Sequence, residues 1–370
     1  MKIACIGARA IPGISGIDTA VGELAPRLAN LGHDVTVFAR RPYMKQGEES
    51  LEYKGVRIRP FPCVKNKFLE TPTYTAGVVL HCIVSDYDIY FFHAVVTGLF
   101  IPFLKLFGKT VVLETHGLDW KREKWNWFAK LVIVVSAYLG VRFSDKTVSV
   151  TTQEVEYFKS RFGRDAEHIP NGTSLEVTNS TSELERFNLV PQRYVLFLSR
   201  LVPEKGVHFL MDAWEGLDES IKGGLKLAIA GDTAYKDKYY QSILQRRSDE
   251  IVFTGHVTGE TKSQLLCHAL ALVQPSTMEG MPMSVLEAKG LGIPVVVSDI
   301  PELKAIASDA DLVFRSGDSD DLRRVLADLF REYGRHKTAA MEAKKTVLET
   351  YGWDVIAKRF DVLFRQLKKA

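Results

Sequence analysis

Short apolar runs separated by amphipathic stretches recur along most of the chain. Lys2–Ile6 is an apolar run that predicts a strand, and it leads into a loop containing Gly7, Gly13 and Gly16. Thr19–Leu31 repeats apolar residues at helical spacing, and Gly32–Phe38 carries a second strand pattern. Strand, glycine loop, helix and strand is how a doubly wound parallel sheet begins. The alternation continues through strands at Val56–Pro60, Ile89–His93, Thr110–Thr115 and Lys146–Val150. A core helix is expected over Leu131–Phe143, another over Thr151–Phe162, and a strand from Glu167 that leaves into a turn at Gly172.

The pattern lapses over Thr173–Ser182, which is rich in Ser, Thr and Asn and poor in apolar residues, so the linker is placed there. It restarts with strands at Tyr194–Leu198, Leu225–Ala230, Ile251–Thr254, Leu270–Val273, Pro294–Ser298 and Leu312–Phe314. Helices are expected at Val207–Leu217, Asp321–Tyr333 and Thr338–Tyr351. The fold class is therefore α/β: two Rossmann-like doubly wound parallel-sheet domains, residues 1–178 and 179–350, with a closing helix over 351–370.

Composition narrows the function. A chain of 370 residues with 46% hydrophobic residues can bury more than one core. A net charge of +3 gives no basic stripe, so no nucleic-acid partner is expected. The four cysteines are scattered, as in reduced structural thiols of a cytoplasmic protein. The first seven residues are too short for a secretory signal, and the apolar stretches near Phe91–Leu104 and Leu131–Val141 fall short of a membrane span. The glycine loop lacks the Gly-x-Gly-x-x-Gly spacing, so no nicotinamide cofactor is expected, nor any other. Asp309-Ala-Asp311 and Asp318-Ser-Asp320 lie in polar loops, the second just before a helix, where acids favour the dipole; neither is assigned a metal. Trp120–Lys130 interleaves four aromatic with four basic residues. It reads equally as a peripheral contact with the inner face of the cell membrane and as a helix packed on its own domain.

The richest chemistry lies in Gln274–Asp299. Glu279 falls in a polar turn beside Gly280, Pro282 suits the first helical position, and the helix is expected to run to about Gly290. The unpaired N–H groups of its first turn face the Glu279 turn and form an anion site. Glu287 follows on the flank of the same helix. N–H donors for a phosphate and two carboxylates for hydroxyl groups match a nucleoside diphosphate sugar. Arg200 and Lys205 stand across a turn directly after the Tyr194–Leu198 strand and can bring a guanidinium and an ammonium to one diphosphate. His93 and His116 lie at or just past the ends of two strands, where open α/β sheets place ligands.

The turn Glu279-Gly-Met-Pro282, Leu286-Glu-Ala288 and Gly292-Ile-Pro-Val-Val296 resemble the retaining glycosyltransferases of family four, which have the GT-B fold of two such domains facing across a cleft. The segment from Ile6 to His33 is similar to a bacterial rhamnosyltransferase-like subgroup. There the loop usually carries paired glycines; this chain has Ser15-Gly16 and is one residue shorter.

The resemblance implies a metal-independent hexosyltransferase acting in cell-surface polysaccharide synthesis. In it Glu279, His116, Arg200 and Lys205 are catalytic. Arg200, Lys205, Gly280, Met281, Pro282, Met283, Glu287, Val257 and Gly16 hold the donor, with Glu287 on the ribose and Val257 near the base. His116-Gly-Leu-Asp-Trp120 matches an acceptor-side motif, adding Asp119, and His93 joins that side. No residue is a convincing covalent nucleophile, so retention implies front-face attack. The donor tilts toward dTDP-rhamnose, with UDP- and GDP-sugars open, and the acceptor is a saccharide or a lipid-linked saccharide. Two rivals stay open: a sugar-nucleotide epimerase of the same fold, and a silent GT-B scaffold that only binds nucleotide.

Overall fold

The protein is described by a computed structural model, for residues 1–13, 15–44, 51–66, 68–121, 125–174, 177–233 and 236–369. It divides into two units, Met1–Gly172 with Trp353–Ala370, and Thr173–Gly352.

The first unit holds strands β1 (Lys2–Ile6), β2 (Asp34–Arg40), β3 (Leu51–Tyr53), β4 (Val56–Phe61), β5 (Ile89–His93), β6 (Val111–Thr115), β7 (Lys146–Ser149) and β8 (Glu167–His168). They form one sheet in the order β3-β4-β2-β1-β5-β6-β7-β8, parallel except for the antiparallel β3–β4 edge pair. Because β1, β5 and β6 are buried along almost their whole length, both faces must be covered, which explains their continuous apolar runs. The chain passes from β1 outward to β2 and β4 and then returns to the other side of β1 with β5. That reversal places a crevice at the carboxyl ends of β1 and β5.

The first helix, Gly16–Asn30, begins three residues earlier than its apolar spacing predicts. Ser15 is its N-cap and accepts from the Asp18 backbone N–H, so polar capping sets the start. The last helix, Trp353–Lys369, belongs to this unit. Phe360 and Phe364 pack on Phe91 with ring centroids 5.2 and 5.3 Å away, and Asp354 takes a 2.8 Å bond from Arg27. A Cβ on Gly172 would lie 2.4 Å from the Trp353 ring, so only glycine lets the backbone pass there.

The second unit holds β9 (Tyr194–Leu198), β10 (Lys226–Ala230), β11 (Ile251–Gly255), β12 (Ala271–Gln274), β13 (Val295–Ser298) and β14 (Leu312–Phe314). The order is β11-β10-β9-β12-β13-β14 and every pair is parallel. Its switch point lies between β9 and β12. The units divide at 172/173 and 352/353, whereas the sequence placed the boundaries after 178 and 350. The reason is a backbone contact: Thr173 N donates to Tyr351 O at 2.6 Å, and Thr173 bridges Gly352, so the polar stretch starts inside the second unit.

Candidate functional site

The site of the second unit is built from the two loops that leave the switch point. A Cβ on Gly231 would sit 1.8 Å from Ser199 O, so the loop after β9 is pressed against the end of β10. The chain then makes a 3-10 turn, Pro203–Lys205, and Gly206 closes it at φ +70°. A Cβ on Gly206 would meet Pro275 O at 1.9 Å, and Thr277 N donates to Glu204 O at 3.0 Å. The loops after β9 and β12 therefore lie side by side, and that approach carries Lys205 to Glu279.

The Lys205 ammonium bonds Glu279 Oε2, with both side chains nearly buried. Glu279 Oε1 accepts from Gln274 Nε2 at 2.9 Å and from Ser276 Oγ at 2.7 Å. Ser276 is held in turn, because its carbonyl accepts from Ser298 Oγ. The carboxylate is thus held by three residues, Lys205, Gln274 and Ser276, the last fixed by Ser298 of β13, and its buried charge is compensated. Gln274 and Ser276 were given no part from sequence, although a polar pair closing an apolar strand is the signal that marks them.

Pro282 does not open the helix as its first residue; it is the N-cap, and the helix runs Met283–Leu291 with Gly292 in the left-handed conformation after it. No side chain caps it, so the first N–H groups, from Met283 on, keep the anion-binding character expected of them. Gly280 and Met281 form the half-buried turn before it. Val257 is buried in the cluster that contains Leu286, and Met281 packs against that cluster. Arg200 lies exposed two residues past β9. Glu287 has a partner of its own: its Oε1 takes a 2.6 Å bond from Lys262, which sequence reasoning missed, while Oε2 is buried with no hydrogen-bond partner. A buried carboxylate oxygen without a partner has acceptor capacity to spare.

In the first unit a separate polar cluster sits at the ends of β5, β6 and β7. Glu114 Oε2 is 2.6 Å from His93 Nδ1 and 3.4 Å from His116 Nε2, and the two rings stack 6.2 Å apart. Glu154, buried below, accepts from Ser149 Oγ at 2.6 Å. Burial opposes charge on Glu114, but His116 and His93 outweigh it and hold the carboxyl down at about 2. Burial likewise disfavours a charged His116; Glu114, Glu154 and Asp119 overcome it and raise its pKa, whereas burial lowers that of His93. For Glu154 burial wins and pushes it up to about 7. The structure therefore brings His93 and His116 together through Glu114. Glu114 and Glu154 went unnoticed in sequence; for Glu114 a glutamate inside an apolar strand run is the available signal, while Glu154, in a polar helix, offers none.

Among the described residues, His93, Glu114 and His116 are the group whose ligand atoms, all within 4.8 Å, could converge on a metal. Asp311 is bound to Lys289 and to Ser308 N, and Asp318 caps the helix Ser319–Arg331, so both Asp pairs have structural work. Asp119 opens a 3-10 turn, Asp119–Lys121. Gly16 has open space where a Cβ would be, while Gly13 would clash at 2.5 Å with the Asp18–Thr19 backbone; the loop's steric requirement thus lies at Gly13. The Asp18 carboxylate takes Arg9 N–H and Ser15 Oγ at 2.7 Å each, tying that loop to itself.

Residues 122–124 of the mixed aromatic and basic segment lie outside the described residues. The rest is not one interfacial helix. Trp120 is buried against Tyr157, because it fills the core under the 3-10 turn, and the helix starts only at Trp127, capped by Asn126.

Residues 14–177 match the family described as Glycosyltransferase Family 4, and residues 181–346 match Glycosyl transferases group 1. An uncharacterized glycosyltransferase of Methanocaldococcus jannaschii is 34% identical over 45% of this chain and 43% of its own, so the chain spans less than half of that relative. The GDP-mannose-dependent alpha-(1-6)-phosphatidylinositol monomannoside mannosyltransferase of Mycobacterium tuberculosis is 26% identical over 94% of both. Among solved structures, Anabaena HepE in complex with UDP and glucose superposes with a TM-score of 0.81 at 18% identity, over 99% of this chain and 100% of that one. The fold is GT-B.

Proposed function

We propose that the chain, whose residues 14–177 match a Glycosyltransferase Family 4 model and residues 181–346 a Glycosyl transferases group 1 model, is a glycosyltransferase that moves a hexose, with retention, from a nucleoside diphosphate sugar to a saccharide or lipid-linked saccharide. The observation that carries the reading is the joining of Lys205 and Glu279 at the β9/β12 switch point, beside an uncapped helix N-terminus.

Breaking the bond to the anomeric carbon puts negative charge on the departing diphosphate. An ammonium has three N–H donors and can hold Glu279 and a phosphate oxygen together. Lys205, Arg200 and the N–H groups from Met283 onward stabilise that charge, and fixed donors aimed at developing charge usually lower a barrier more than any other device. Fixed cations supply what a divalent metal supplies elsewhere. Glu287 Oε2 accepts from the ribose, Glu279 from a donor-sugar hydroxyl, and the departing phosphate oxygen takes the acceptor proton. His116 and Asp119 serve the acceptor side. The name of the Mycobacterium relative puts GDP-mannose ahead of dTDP-rhamnose as the first donor to try.

The test is release of nucleoside diphosphate from a panel of sugar nucleotides, with and without saccharide acceptor and in excess chelator. The reading expects acceptor-dependent release that survives chelator and falls about a hundredfold or more in Arg200→Ala. Release that needs a divalent metal would return attention to His93, Glu114 and His116. No acceptor-dependent release from any donor would refute the reading.

A further inference from the structure

The helix Trp127–Phe143 buries one face, with Ile133, Ser136, Ala137, Gly140 and Val141 packed into the first unit. Its outward face should be polar, as on any helix of a water-soluble domain. Instead Trp127, Phe128, Leu131, Val135 and Tyr138 are all exposed, Trp127 to 76%. They follow one another at helical spacing, so they form a stripe rather than isolated residues. The helix Ile101–Leu106 packs beside it and adds Phe103 and Leu106, the latter 80% exposed. Single exposed apolar residues are ordinary; an apolar stripe on one helix, beside a packed neighbour that also exposes Phe103 and Leu106, marks an interaction surface.

Charge decides what covers it. From Trp125 to Ser144 the sequence has Lys130 and Arg142 and no Asp or Glu. The adjoining acid, Asp145, is held by Lys105 at 2.6 Å. An apolar stripe with an aromatic start, cationic flanks and no carboxylate complements an anionic lipid surface. No described helix is long and apolar enough to cross a membrane. We propose that the paired faces of the helices Trp127–Phe143 and Ile101–Leu106 seat this unit on an anionic bilayer, the apolar stripe entering the headgroup boundary and Lys130 and Arg142 meeting lipid phosphates. The contact therefore runs along the helix after Trp127, not along the Trp120–Lys130 segment. Given the proposed transfer reaction, a lipid-linked acceptor would be met at this surface.

The experiment is flotation of the full chain with phosphatidylcholine vesicles and with vesicles containing phosphatidylglycerol, at low and at high salt. Light scattering reports the oligomeric state in parallel. The chain is expected to float with the anionic vesicles and much less with the neutral ones or in high salt. Neutralising one cation weakens such binding about fivefold, so K130Q/R142Q should lower the partition about 25-fold. W127S/L131S should abolish flotation while leaving the nucleotide-induced thermal shift of the second unit unchanged. An unchanged thermal midpoint of the first unit shows that the variant is folded there. Absence of flotation with anionic vesicles, or flotation indifferent to salt and to both variants, overturns the proposal. So does a dimer that W127S/L131S converts to monomer with no vesicle binding, which would assign the face to a second copy of the chain. A chain that floats but transfers no sugar would refute the proposed activity alone.

Discussion

Lys205→Ala should separate the structural from the chemical contribution of the central pair. The two side chains are only 11% and 5% exposed, so removing the ammonium leaves the Glu279 carboxylate buried against Gln274 and Ser276 with no cation. Breaking such a pair from one side costs about 3 kcal/mol. For a unit of this size each kcal/mol shifts the midpoint about 2–4 °C, giving a fall of about 6–12 °C in the second unit's transition. Glu279→Gln in the same chain removes the stranded charge while keeping an oxygen for Ser276, so K205A/E279Q should recover to within about 1 kcal/mol of wild type, about 2 kcal/mol better than Lys205→Ala. Turnover should not recover, because phosphate stabilisation is lost in both; each variant should remain about a hundredfold down. Calorimetry and a release assay on the four proteins measure both quantities. Additive stability effects, or near-normal turnover in the double variant, would refute the reasoning.

Gly206→Ala forces a side chain at φ +70° into Pro275 O and should cost about 2–3 kcal/mol, read by calorimetry, with donor affinity falling as the two loops part; wild-type stability would contradict the loop packing. Glu287→Gln should weaken nucleotide binding about tenfold in titration calorimetry, because a charged acceptor for the ribose is lost; unchanged affinity would remove Glu287 from the ribose. Glu154 is raised by burial to about 7, so the folded state binds its proton more tightly than the unfolded chain does. Its contribution to stability is present below the unfolded carboxyl pKa and is lost as pH rises to about 7, roughly 3 kcal/mol in all. Glu154→Gln should flatten that decline and raise the first unit's midpoint at pH 8; a lower midpoint at pH 8 would mean the carboxylate is needed charged.

The strands were legible because most are apolar on both faces. Ile89–His93 and Tyr194–Leu198 announce themselves as unbroken runs and occupy those residues in the sheets. The edge strand Leu51–Tyr53 was not seen, since an exposed three-residue strand has no such run, and the helix Glu70–Ile83, rich in Thr and without a side-chain cap, carries weak local preference. Lys205 and Glu279 could be assigned to one site in advance because short words flank each, but their direct bond could not. Lys262 could not, because a lysine on a half-exposed helix is indistinguishable from a solvated one until Glu287 is found 2.6 Å away. Glu114 and Glu154 were hidden for the opposite reason: His93 reaches Glu114 from another strand and Glu154 comes from the helix after β7, so only the fold gathers them around His116. Trp120 shows the limit of composition, since its neighbours are charged yet its ring belongs to the core.

The central claim is that the β9/β12 switch point holds a nucleoside diphosphate through Lys205. Thermal shift of wild type and Lys205→Ala against a panel of nucleoside diphosphates and their sugars tests it most directly. A ligand at a hundred times its Kd stabilises the native state by about 2.7 kcal/mol. At least one nucleoside diphosphate should raise the second unit's midpoint in wild type and leave Lys205→Ala unmoved at the same concentration; equal shifts in both proteins, or none in wild type with any member of the panel, would contradict the claim.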